Sequence, residues 1–266
     1  MGFFKRLVTP AHEQAFVDGL SALNDGNETE ALQRMEDALT ANPSLADAAW
    51  VAGLLRLKQE SLDHAIAHLR TSLNASGSLG QLFAKYGLAP KLKLPVTPEV
   101  TATAVPGPDS ARVALVEALQ LAGRPSEAVT ELEGLLRSRP TDAVVLASFA
   151  ELALDGSDAT SAQRVVALTA GITNETAVHT AVLLYRGKAL AKLGLDHAAV
   201  EVWTAALRRT KDRAPELLRE VRFQRADAYV RLGRRAQARK EWERIYSEAP
   251  SHRDVGKRLG LESAIG

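Results

Sequence analysis

His64 and His68 stand four residues apart with Asp63 beside them. On a helix that spacing puts both imidazoles on one face, where they could offer two ligands to a metal ion. No third ligand lies nearby in sequence, and the helical register places the pair on an outer face, so surface histidines are the expectation. His12, His179, His197 and His252 are scattered singly. Gly77-Ser78-Leu79-Gly80 has the glycines of a phosphate loop, but no Gly-Lys-Ser/Thr ending follows and no strand precedes it. It reads as a turn. No nucleophile elbow, zinc-protease helix or dinucleotide fingerprint is present. Glu127, Glu131 and Glu133 read as a solvated helix face rather than an acid–base pair. The chain holds no cysteine, which removes disulfides, thiolate metal sites and cysteine catalysis. The expectation is a protein with no catalytic residues, no metal and no cofactor.

The elements that carry these residues repeat. Arg222 to Pro250 reads as two amphipathic helices about a glycine turn. Phe223, Ala226, Tyr229, Val230 and Leu232 recur at helical spacing before Gly233, and Ala238, Trp242, Ile245 and Tyr246 follow it. From Gly233, an alanine lies five residues on, a large apolar residue nine on and a proline seventeen on, with a small residue seven before. The same grammar runs from Gly26 (Ala31, Met35, Pro43; Gly19 upstream), Gly123 (Ala128, Leu132, Pro140; Val116 upstream) and Gly194 (Ala199, Trp203; Gly187 upstream). Glu60 and Ser157 fill the glycine slot in two more units, with Ala65, Leu69 and upstream Gly53, and with Ala162, Val166 and upstream Ala150. The alanine slot is alanine in all six. A small residue there lets two helices cross closely.

This pattern resembles the tetratricopeptide repeat, a 34-residue helix–turn–helix unit. Gly26 to Glu60 and Gly123 to Ser157 are 34 residues each; the next two intervals are 37 and 39, with the extra residues between units. The signature tryptophan is mostly absent from first helices, and three units lack the closing proline. The fold class expected is all-α: a tetratricopeptide-like α-solenoid of about six repeats, interrupted by one proline-rich extended linker.

That linker is Leu88 to Asp109, which holds five of the chain's eleven prolines. Each removes a donor and disfavours helix at the residue before it. Its Val and Thr content permits a short edge strand. Exposed, it would be a hinge; packed into a groove, a strap. The organisation expected is an arm over 1–10, two repeats plus an extra helix over 11–87, the linker over 88–109, four repeats over 110–252 and a capping tail over 253–266. The arm, with Phe3, Phe4, Leu7 and Val8 beside Lys5 and Arg6, suits docking on the first repeat or on a membrane surface. Gly2 invites myristoylation, but Arg6 stands where that motif needs Ser or Thr.

No apolar run approaches the roughly 18 residues of a membrane span, and the stretch MGFFKRLVTPAHEQ has no apolar run long enough to read as a secretory signal. A soluble, cytoplasmic protein is expected. The net charge of +1 hides an asymmetry. Ala205 to Gly260 carries 16 Lys/Arg against 8 Asp/Glu, and the remainder 17 against 24.

The resemblance implies a function in recognition, with first helices lining a concave surface. By register that surface would present Phe16, Trp50 and Leu54 from the first two units and Glu117 and Glu151 from the middle. Tyr185, Lys188, Lys192, Phe223 and Arg231 would come from the last two. Lys188, Lys192 and Arg231 together would steer an acidic partner. The function expected is a scaffold or adaptor holding a peptide or helix of another protein, with an acidic peptide segment suited to the basic end. The alternative is nucleic-acid or anionic-membrane binding through the basic last repeat, using Arg208, Arg209, Arg222, Arg225, Arg234, Arg235 and Arg239.

Overall fold

The computed structural model describes residues 9–75, 79–90, 92–156 and 158–261. The expected arm over 1–10 lies largely outside these residues, as do Gly77 and Ser78, the turn residue Ser157 and the end of the C-terminal tail. Helices dominate. In the first part of the chain come α1 (Ala11–Asn24), α2 (Glu28–Ala41), α3 (Ala46–Lys58), α4 (Leu62–Asn74), α5 (Gln81–Tyr86), α6 (Pro108–Leu121) and α7 (Pro125–Ser138). In the second come α8 (Ala143–Asp155), α9 (Ala159–Leu168), α10 (Ala177–Lys192), α11 (Asp196–Ala206), α12 (Pro215–Arg231), α13 (Arg235–Glu248) and α14 (Val255–Arg258). A hairpin of β1 (Lys93–Thr97) and β2 (Val100–Thr103) stands between α5 and α6.

Two compact units result. One comprises the described residues up to Pro95 together with Ala102–Leu135; the other comprises Val96–Thr101 with the described residues from Leu136 onward. The α6–α7 pair, expected to open a second lobe, therefore belongs with the first unit. The reason is that α6 packs against α4, and Arg70 on α4 pairs with Glu127 on α7.

In five of the repeat units the two helices are joined by the same turn. The residue after the turn donates its N–H to a carbonyl five residues back: Asn27 to Ala22, Ser61 to Arg56, Arg124 to Leu119, Leu195 to Leu190 and Arg234 to Tyr229. This closes the end of the first helix, and it needs a left-handed residue just before the donor. Gly26, Gly123, Gly194 and Gly233 supply it with φ between 69° and 81°, and Glu60 supplies it with φ 57°. The next helix then starts on a side-chain cap at Asn27, which accepts from the Glu30 N–H. Asp142, Asp158 and Thr176 cap α8, α9 and α10 in the same manner.

The alanine slot is the floor of each crossing. Ala31, Ala65, Ala128, Ala162, Ala199 and Ala238 are all fully buried. The small residue seven before the turn faces the large one nine after it. A Cβ on Gly19 would stand 2.8 Å from the Met35 methyl, and one on Gly53 2.7 Å from Leu69 Cγ. On Gly187 it would stand 2.2 Å from Trp203 Nε1. Trp203 fills that space and donates its indole N–H to Leu184 O at 3.0 Å. The pairing of slots legible in the sequence is thus a volume exchange across one helix crossing.

Candidate partner-binding site

In the second unit α8, α10 and α12 are neighbouring first helices, and the side of α8 and α10 that carries Ser148, Tyr185 and Lys188 is occupied. The tip of the β-hairpin, Val96–Thr101, lies on it. Pro98 and Glu99 form the two-residue turn between the strands, with proline presetting the backbone there. Val96, Thr97 and Val100 are buried, and Ser148 of α8 donates its hydroxyl to Val96 O at 3.5 Å. Glu99 takes the centre of the contact. Tyr185 Oη donates to its Oε2 at 3.0 Å, Thr97 Oγ1 to the same oxygen at 3.0 Å, and Lys188 Nζ stands 3.7 Å from its Oε1.

Lys188 is one turn from Tyr185 on α10, and its ammonium lies 4.5 Å from the centre of the phenol ring. It also stands 3.5 Å from Glu220 of α12. Glu220 is buried and receives both Nε and Nη2 of Arg253 at 2.8 and 2.9 Å, plus the amide of Gln224 at 2.9 Å. Burial alone would raise the Glu220 carboxyl; Lys188, Gln224 and Arg253 outweigh it and hold the group below the ordinary carboxylate value. Burial, and then the Glu99 and Glu151 carboxylates, push the Tyr185 phenol far above its usual range, so it remains a neutral donor. Arg253 has φ 48°, a left-handed backbone that costs a non-glycine residue about 1 kcal/mol or more. Its two-pronged grip on Glu220 and its position 5.1 Å from the Phe223 ring explain why arginine stands there.

Residues 220–252 match the model of the tetratricopeptide repeat. Solved structures of similar fold extend the likeness over the array. The N-terminal domain of the EccA1 ATPase from the ESX-1 secretion system of Mycobacterium tuberculosis superposes with a TM-score of 0.70 at 16% identity, over 94% of this chain and 88% of that one. The chain has the fold of a tetratricopeptide-repeat array, and one of its units matches the repeat itself. PilF of Pseudomonas aeruginosa gives 0.61 at 14% identity over 95% and 98% of the two chains. PilW, a type IV pilus biogenesis factor, gives 0.59 at 12% over 95% and 100%. These identities carry the fold only. No curated protein matches the chain. Tetratricopeptide repeats in general serve as non-catalytic scaffolds for protein–protein interaction, and no helix among the described residues is long and apolar enough to cross a membrane.

Within that fold the residues expected on the concave surface divide. Tyr185 and Lys188 meet at the hairpin tip, with Glu151 near enough to act on the phenol. Phe16 and Trp50 are fully buried instead of displayed, because Phe83 of α5 packs edge-on against both, with ring centres 5.2 and 5.6 Å away. Buried Asp47 fixes α5 there by accepting from the Gly80 and Leu82 N–H groups. Leu54 is buried too, at the wall of a groove of about 760 Å³ in the first unit. Phe223 is buried beneath the C-terminal segment, in a cluster with Ile245 and Val255. Glu117 on α6 is half-buried, and that burial raises its carboxyl.

The expected common field of Lys188, Lys192 and Arg231 is not what forms. Lys192 closes the end of α8 on the carbonyls of Leu154 and Gly156, and Arg231 pairs with Asp196 at 2.8 Å. Arg222 and Arg225 both meet Glu241, and Arg239 meets Glu243 along its own helix. That leaves the basic repeat less free for a polyanion than its charge count implies. His64 Nδ1 sits 3.1 Å from Ser61 Oγ, and His68 is held below its ordinary value by burial. Among the described residues no group of three or more His, Asp or Glu is placed to hold a metal ion.

Sequence reasoning missed Glu99, Glu220 and Arg253. For Glu99 the available signal was the Val-Thr-x-x-Val alternation around it, which marks a strand with a buried face. For Glu220 no local signal exists, since Arg253 reaches it from 33 residues away.

Proposed function

We propose that this protein is a non-catalytic adaptor that binds an acidic, partly apolar segment of a partner protein on the inner face of its second unit, around Tyr185 and Lys188. One observation carries the reading: that face already holds a carboxylate, Glu99, presented on an extended segment between buried valines. A phenol that stays a donor and an ammonium held over its ring are suited to a carboxylate on a partner as well. The repeat fold supports recognition of a protein over chemistry on a small molecule. The pairing of Arg222 and Arg225 with Glu241 gives no support to polyanion binding.

The test is affinity capture from the native host with two baits, the wild-type chain and Lys188→Gln, followed by mass spectrometry. A protein enriched by the first and depleted from the second is the expected result. Equal recovery of every captured protein on both baits would contradict the assignment of this face.

A further inference from the structure

The hairpin tip has the features of a ligand rather than of a loop. A connection rich in proline is ordinarily at the surface with its side chains in water. Here Val96 is fully buried and Thr97 and Val100 nearly so. The one acidic residue of the turn points its carboxylate at a phenol and an ammonium on α10. Purely structural packing of a turn does not require a carboxylate there. Lys188 has a second acceptor in Glu220, and Glu220 is satisfied by Arg253 and Gln224. Lys188 therefore keeps a charge partner without Glu99, whereas the Tyr185 hydroxyl has its acceptor in Glu99. What Glu99 adds is a carboxylate that occupies the donor pair of Tyr185 and Lys188 on α10.

We propose that Val96–Thr101 is a built-in stand-in for the partner, so that the groove recognises an extended strand carrying one glutamate between β-branched residues, and that a partner binds by displacing the tip. This rests on the adaptor reading above and names its ligand and its gate. The recognition elements follow from the contacts. Tyr185 and Lys188 read the carboxylate, and the surface covering Val96 and Val100 reads branched apolar side chains. Because the tip is tethered, it competes at an effective concentration near the millimolar range. Only a segment that outmatches it, or a chain whose tip is weakened, gives strong binding.

The test uses the full chain and a labelled synthetic octapeptide with the sequence of residues 94–101, LPVTPEVT. Fluorescence anisotropy follows its binding to wild-type protein and to Glu99→Ala. The variant is expected to bind the peptide about tenfold tighter than the wild type. A peptide with Gln in place of its Glu is expected to lose most of that affinity. Equal weak binding to both proteins, or equal binding of the Glu and Gln peptides, overturns the proposal. Should Glu99→Ala fail to fold, hydrogen exchange on the wild-type chain decides. Excess peptide is expected to speed exchange at the Thr97, Val100 and Thr101 amides, and unchanged protection at saturating peptide overturns the proposal. Neither readout uses the partner. If the peptide fails while partner capture still depends on Lys188, the adaptor reading survives and only the tip's role is lost. If the peptide binds while capture ignores Lys188, the adaptor reading fails and the tip remains a self-ligand.

Discussion

Glu60 holds a left-handed backbone, φ 57°, in a slot that glycine fills at Gly26, Gly123, Gly194 and Gly233. Nothing else stands near those glycines, so the slot is chosen by backbone conformation alone. Glu60→Gly is expected to stabilise the chain by about 0.5–1 kcal/mol, and Gly233→Ala to destabilise it by a similar amount. Thermal unfolding of both variants checks this, and a fall in melting temperature for Glu60→Gly would refute it. Glu117 makes a second case. Burial raises its folded-state pKa, so the folded chain favours the protonated form, and stability falls as pH rises through that value. Glu117→Gln should raise the melting temperature at pH 7 and leave it unchanged once the pH is low enough to protonate the wild-type carboxyl. The glycine slot was legible in the sequence because one steric rule governs it wherever it recurs. The displayed aromatics were not. Phe16 and Trp50 follow the register of exposed first-helix positions, but a short helix from outside the repeat pattern, carrying Phe83, covers both.

At the scale of elements, the helix crossings rest on paired volumes. Gly187→Ala puts a methyl into the Trp203 indole and should cost about 1–3 kcal/mol. Trp203→Leu in the same chain should recover part of the loss, and additive losses in the double variant would mean that the two residues do not share the crossing. Buried Glu220 ties α12 to α10 through Lys188 and to the C-terminal segment through Arg253. Its folded pKa is lowered, so its stabilising effect is present above the unfolded carboxylate value and disappears as pH falls through the folded value. Glu220→Gln should lower stability at pH 7 by about 3 kcal/mol, since it leaves the facing cations without their charge partner, and the gap to wild type should close in acid. A gap independent of pH would point to packing instead. The hairpin marks where local reading ends. Prolines and alternating Val and Thr foretell an extended segment with strand character. Its destination depends on a Tyr185–Glu99 contact across 86 residues, which no local pattern encodes.

For the whole molecule, the charge asymmetry read along the chain resolves into local pairs. Many of the basic residues after Ala205 neutralise carboxylates of their own or a neighbouring helix, as Arg225 does Glu241 and Arg258 does Asp227. The sequence count overstates the free positive field for this reason. In the function proposed above, recognition rests on Tyr185 and Lys188. The most direct measurement is a calorimetric titration of the purified captured partner against wild-type chain, Tyr185→Phe and Lys188→Gln, at about 50 mM and about 500 mM salt. Both variants should bind about tenfold more weakly at low salt, through the lost charge-assisted contacts, with the Lys188→Gln deficit narrowing at high salt. Affinities that match wild type in both variants at both salts would contradict the account and move the binding surface away from the inner face of the second unit.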